Sequence, residues 1–149
     1  MRLAVPALLV AVLTCPFTAS AVVCHVRATP VAFGTYSPGD PSPLDVTGEI
    51  EVRCQGTAGS FATTLSPGSG GTFAQRQMVS GAYVLAYNLF VDAARTLVWG
   101  DGTGGSQRAG GLSRPGRLVF NFPVYGRVFP RQGVGTGVYT DDILVTVEF

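Results

Sequence analysis

Apolar and polar residues trade places with a period of two along several stretches of this chain, and no stretch sustains a helical period. That spacing is what a half-buried β-strand imposes. The clearest case places Val46, Gly48, Ile50, Val52 and Cys54 on one face and Thr47, Glu49, Glu51 and Arg53 on the other. The pattern predicts a strand with one wet face and puts Cys54 on its buried side. The last residues repeat it: Ile143, Val145, Val147 and Phe149 share a face, opposite Thr146 and Glu148. A strand with no successor is expected at a sheet edge, paired with an earlier strand, or open to a strand from another molecule.

Residues 31–36 predict a short strand that runs into the turn-rich Ser37-Pro38-Gly39-Asp40-Pro41-Ser42-Pro43. Residues 60–66 predict another, closed by Pro67-Gly68-Ser69-Gly70-Gly71. In residues 83–91 both faces are largely apolar, which suits the centre of a sheet or an outer face packed against a partner. Asp92-Ala93-Ala94-Arg95 reads as a turn into a strand at 96–99, giving a hairpin. Residues 100–116 form a Gly-rich loop whose pattern assigns nothing. A strand over 117–122 meets Pro123, which donates nothing to a ladder, so a bend or an edge is expected before 124–129 resumes it. The terminal strand is expected over 138–149, kinked at Asp141-Asp142. Seven or so short strands with turns between them give an all-β fold class, an immunoglobulin-like sandwich. Neither an internal repeat nor a second domain shows in the pattern.

The first residues carry a different signal. Arg2 supplies a positive start, residues 3–13 are apolar but for Pro6, and Ala19-Ser20-Ala21 fits the small-x-small rule for cleavage. A signal peptide over residues 1–21 is expected, leaving one domain over residues 22–149. The apolar run is shorter than the roughly 20 residues a spanning helix needs, so no membrane span is expected after cleavage. Thr14 and Val23 precede Cys15 and Cys24, which argues against lipidation. Cleavage removes Cys15 and leaves Cys24 and Cys54 to meet an oxidising compartment, where a disulfide is their natural pairing. The alternatives are two free thiols or half a metal site. One histidine and no CxxC spacing give zinc little support.

Charge narrows the partners. There are ten arginines and no lysine, and with Arg2 gone nine arginines face nine carboxylates. Nucleic acid and anionic membrane surfaces both call for a basic excess, so neither is an expected partner. Catalysis has little to stand on, and the chain is not expected to be an enzyme. His25, the lone imidazole, lacks the neighbours of a nucleophile-base set, and Asp92, Asp101, Asp141 and Asp142 read first as turn residues. Asp101-Gly102-Thr103-Gly104-Gly105 lacks the further carboxylates of a calcium loop and the Gly-Lys-Ser/Thr ending of a phosphate loop. No cofactor or metal is expected. Trp99 with Tyr83 and Tyr87 offers a sugar platform as an alternative, though alternating aromatics usually face a core.

Several blocks together resemble a known family. They are Val31-Ala32-Phe33-Gly34-Thr35-Tyr36, Pro43-Leu44-Asp45 with Gly48, Leu85-Ala86-Tyr87-Asn88-Leu89-Phe90-Val91-Asp92, Arg95-Thr96, Trp99-Gly100-Asp101-Gly102, Val124-Tyr125-Gly126-Arg127-Val128 and Gly137-Val138-Tyr139-Thr140-Asp141-Asp142. In this order they look like the spore coat U domain, the family of spore coat protein U and of Csu-type pilus subunits. The resemblance implies an incomplete immunoglobulin-like sandwich that lacks its final strand. It implies export to the periplasm, capture by a dedicated chaperone, passage through an outer-membrane usher, and joining to other pilus or coat subunits at the cell surface by donor-strand complementation. Ile143, Val145, Val147 and Phe149 are then expected to line the acceptor groove, with the Phe149 carboxylate as an anchor for the chaperone. One departure stands out: cleavage before Val22 leaves only Val22 and Val23 ahead of Cys24, too few for a donor strand. A tip or terminal subunit would accept a strand and give none. The alternatives are a self-sufficient secreted coat protein, a carbohydrate-binding module, or a different N-terminus.

Overall fold

The computed structural model describes residues 22–56, 59–113 and 115–149, so the expected signal peptide lies outside the described residues. The strands are β1 (Val23–Ala28), β2 (Leu44–Gly56), β3 (Gly59–Leu65), β4 (Arg76–Ser80), β5 (Tyr83–Phe90), β6 (Ala109–Ser113), β7 (Gly116–Val128) and β8 (Val145–Glu148). They form a five-stranded sheet in the order β1-β2-β7-β5-β4 and a three-stranded sheet in the order β6-β3-β8, all neighbours antiparallel. Between the sheets lie Ile50, Val52, Cys54, Phe61, Leu65, Leu85, Leu89, Val124 and Val128, all buried. The molecule is an all-β sandwich, incomplete at the β8 edge. Among the described residues no helix is long and apolar enough to cross a membrane.

β2 forms as its alternation predicts, with Ile50, Val52 and Cys54 buried and Thr47, Glu49 and Arg53 exposed. Cys24 and Cys54 sit directly opposite each other on β1 and β2, their Cα atoms 4.1 Å apart, and are bonded as a disulfide. The bridge ties the edge strand β1 to the interior of its sheet.

Several expectations need correction. Residues 31–33 alternate in burial as a strand would, with Val31 and Phe33 turned inward, but Tyr36 rather than Thr35 is the next inward residue and the segment joins no ladder. Gly34, at φ +78°, breaks the extended path. Residues 96–99 turn back along β5, with the Val91 N–H donating to Leu97 and the Trp99 N–H to Leu89, but form isolated bridges, Phe90 to Val98 and Trp99 to Gln107, rather than a strand. There the backbone turns so that Trp99 enters the core, where its indole N–H donates to the Thr63 carbonyl at 2.9 Å. The Gly-rich loop conceals β6, and β4 goes unpredicted because its inward residues are Arg76 and Met78 rather than an apolar series.

Pro123 does not interrupt β7. Thr29 and Glu49 exchange hydrogen bonds, so the backbone groups of Glu49 face β1, and its partner Pro123 turns its own nitrogen away from β2. On that other side β5 pairs only with residues 125–128, so the missing N–H falls where no ladder needs it. The terminal strand is shorter than its pattern: β8 begins at Val145, and residues 139–144 carry only the Val79 to Thr140 bridge.

Candidate binding groove

β8 pairs with β3 on one side and, among the described residues, with no strand on the other. Leu144 accepts from the Ser66 N–H and donates its own N–H to the Ser66 hydroxyl, so its backbone groups point toward β3. Strand geometry then turns the N–H and C=O of Val145 and Val147 to the open edge. Across from it, the groups of β1 turned away from β2 belong to Cys24, Val26 and Ala28, by the same alternation from the Thr29 and Glu49 bonds. Two unpaired edges, one from each sheet, therefore border one cleft.

The cleft continues past β1 and β8 as two adjoining cavities of about 420 and 560 Å³ that share Val31, Phe33, Met78 and Tyr139. One wall runs from Ala28 at the end of β1 through the strandless segment 29–38, the other is segment 134–145. The floor of the first cavity includes Ile50, Leu65, Leu89 and Val124, and that of the second Leu85 and Val128. This surface is apolar, elongated and flanked by backbone groups without ladder partners. Such a surface takes an extended peptide, whose main chain completes a sheet while alternate side chains fill the floor.

Small residues seat the first wall. A Cβ on Gly48 would lie 2.8 Å from the Val31 side chain, and one on Gly126 would lie 2.8 Å from the Phe33 ring. Val31 and Phe33 thus rest directly on the backbone of β2 and β7. Phe33 meets Tyr87 edge to face at 5.7 Å.

Polar bonds hold the second wall. Asp141 accepts from the Ser69 N–H at 2.8 Å, the Ser69 hydroxyl at 2.7 Å and the Tyr87 hydroxyl at 2.7 Å. Burial first, and then the bond to Asp141, push the Tyr87 phenol far above its ordinary value. Beneath lies Arg76, fully buried, donating to the Ser66 and Trp99 carbonyls and the Asn88 side chain at 2.7–3.1 Å. Burial pushes its guanidinium down to about 10, against the opposing pull of Tyr87 and Asp141. Further along, the Gln132 amide accepts from the Ala86 N–H and donates to the Ala86 carbonyl, copying a strand partner, while its backbone N–H donates to the Tyr36 hydroxyl. Tyr36 thereby ties one wall to the other.

Of the residues expected to line a groove, Ile143 and Val145 border the first cavity and Val147 packs against the core beside it. Phe149 is 67% exposed and lies outside both cavities. The sequence missed the opposite wall and the anchoring set of Arg76, Gln132 and Ser69. Trp99 is wholly buried, so it offers no face to a sugar. His25 is exposed on β1, and among the described residues no three metal-ligating side chains gather.

Several of the blocks that carried the resemblance meet at this cleft: Val31 to Tyr36 and Tyr139 to Asp142 as walls, Gly48 and Gly126 as the seat, Tyr87 as floor and tie. The model of the spore coat protein U domain family matches residues 8–146. The chain belongs to the spore coat protein U domain family. Protein U of Myxococcus xanthus is 32% identical over 130 residues, covering 78% of this chain and 70% of that protein. A chain in the crystal structure of the CsuC-CsuE chaperone-tip adhesion subunit pre-assembly complex, from the archaic chaperone-usher Csu pili of Acinetobacter baumannii, superposes with a TM-score of 0.58. That match covers 87% of this chain but 40% of the other, at 22% identity. At such identity the likeness concerns the fold, and this spore coat U domain spans less than half of that longer chain.

Proposed function

We propose that this spore coat U domain protein is a structural subunit of a bacterial surface assembly, handled by a periplasmic chaperone and an outer-membrane usher, whose groove accepts a β-strand from another polypeptide. The observation that carries the reading is the open edge of β8, with Val145 and Val147 unpaired beside an apolar cleft whose far wall has strand patterning but no ladder. The named partners of the Csu pilus relative make a chaperone the first expected occupant and a neighbouring subunit the second. Phe149 is exposed and would be a contact for the first of these.

In this reading residues 1–21 are a cleaved signal peptide and the mature protein reaches the cell surface through the periplasm. Cleavage before Val22 would make it an acceptor that gives no strand, which suits a tip or terminal position and an adhesive role. Mass spectrometry of the exported protein's N-terminus tests that point directly.

The groove itself is tested by adding synthetic strand peptides, with branched aliphatic residues at alternate positions, to the exported protein. A bound strand is expected to raise the unfolding midpoint and to protect the amides of residues 143–149 from hydrogen exchange. Strong protection of those amides in a lone monomer, with no response to any peptide, would show the edge already satisfied and overturn the reading.

A further inference from the structure

The groove is electrostatically one-sided. Its lining contains two carboxylates, Asp141 and Asp142, and no basic side chain. The two acids are not equivalent. Asp141 is tied to Ser69 and Tyr87 and lies within the field of the buried Arg76. Asp142 is exposed at the rim and has no hydrogen bond or ion pair with any described residue. A strand laid against this edge would take water from one side of Asp142 and give it nothing in return, unless the strand brings a cation.

Resting on the strand-acceptor reading above, we propose that the occupant of the groove is a segment of a different chain that carries a lysine or arginine at one fixed position, facing Asp142. The position follows from strand parity. Burial alternates through the wall, with Asp141, Ile143, Val145 and Val147 turned inward and Asp142, Leu144 and Thr146 outward. Residues directly across a ladder share a face, so the occupant's residue across from Val145 fills the floor. The position three residues away along the strand is on the solvent side and lies across from Asp142. The occupant is therefore apolar at alternate positions and basic at one outward position with a defined offset from them. The exported acceptor, without Arg2, has nine arginines against nine carboxylates, so it exerts no general pull on a cation that could mimic this preference.

The test uses the exported protein and a panel of strand peptides with a constant apolar face. One reference peptide has glutamine at every outward position, and the others place a single lysine at each outward position in turn. Affinities are read by fluorescence anisotropy at low and high salt. One lysine position is expected to bind roughly two- to five-fold tighter than the reference, with the advantage shrinking in high salt. Asp142→Asn is expected to abolish that advantage while leaving the reference peptide's affinity unchanged. A flat lysine scan, or a preference that survives Asp142→Asn, would overturn the proposal while leaving the acceptor reading intact. Failure of the reference peptide itself would instead sink the acceptor reading. A concentration-dependent dimer that excludes every peptide would place a second copy in the groove and equally overturn the proposal.

Discussion

Thr63 buries its hydroxyl completely and finds no hydrogen-bond partner for it among the described residues. Valine has nearly the same shape without the orphaned group, so Thr63→Val is expected to stabilise the protein by about 1 kcal/mol, read from a urea titration. Arg76 is the opposite case. Truncating it to alanine would strand the Ser66 and Trp99 carbonyls and the Asn88 side chain in the interior, and a loss of about 3 kcal/mol is expected. Neither position was legible beforehand. Arg76 stands in a polar stretch whose composition suggests a loop, and its burial follows from acceptors 10, 12 and 23 residues away in the chain. Gly48 and Gly126 could have been read as sites of close approach, but not which side chains rest on them.

At the scale of elements, the strands with a regular two-residue alternation were readable, and those whose partners decide their state were not. β2 declared itself because one face is wet and the other buried. Residues 31–33 begin the same alternation, Gly34 breaks it, and the segment stays out of any ladder with Val31 and Phe33 facing the groove. The terminal wall depends on Asp141, and Asp141→Ala is expected to speed hydrogen exchange of the amides in residues 139–145 while the β2 and β7 amides keep their protection. Replacing both Cys24 and Cys54 with serine opens a loop spanning a sequence separation of 30 and is expected to cost about 3–4 kcal/mol, measured by denaturant unfolding. Charge also joins elements here. Asp45 on β2 bonds Arg127 on β7 at 2.7 and 2.8 Å and pairs with Arg95 at 3.4 Å. The Arg127 hydrogen bonds hold its carboxyl below the ordinary value of 3.8. In the turn after β5, the Leu97 N–H and then Thr96 do the same for Asp92. A carboxyl depressed on folding contributes stability above its unfolded value and loses it as pH falls through the folded one. The urea midpoint is therefore expected to hold above about pH 4 and to decline below it, with Asp45→Asn showing a shallower decline.

For the whole molecule, two sheets of five and three strands bury one core, and the β8 edge of the smaller sheet is the one that borders the apolar cleft; the proposed strand exchange follows from that placement. A protein in this state is expected to aggregate when exported alone and to become soluble with its chaperone, checked by fractionating the periplasm with and without the partner. The sequence by itself determined the all-β class, the face of β2 that turns inward, the pairing of Cys24 with Cys54, and the resemblance that places the chain in its family. It could do so because alternation and cysteine count are local or compositional properties. Tertiary structure alone decided that Trp99 fills the core, that Pro123 can sit within a continuous strand, that Arg76 is interior, and that segment 28–38 faces segment 134–145 across a cleft. Those outcomes depend on which edges remain unpaired once the sheets have closed, and that is a property of the assembled fold rather than of any one stretch of chain.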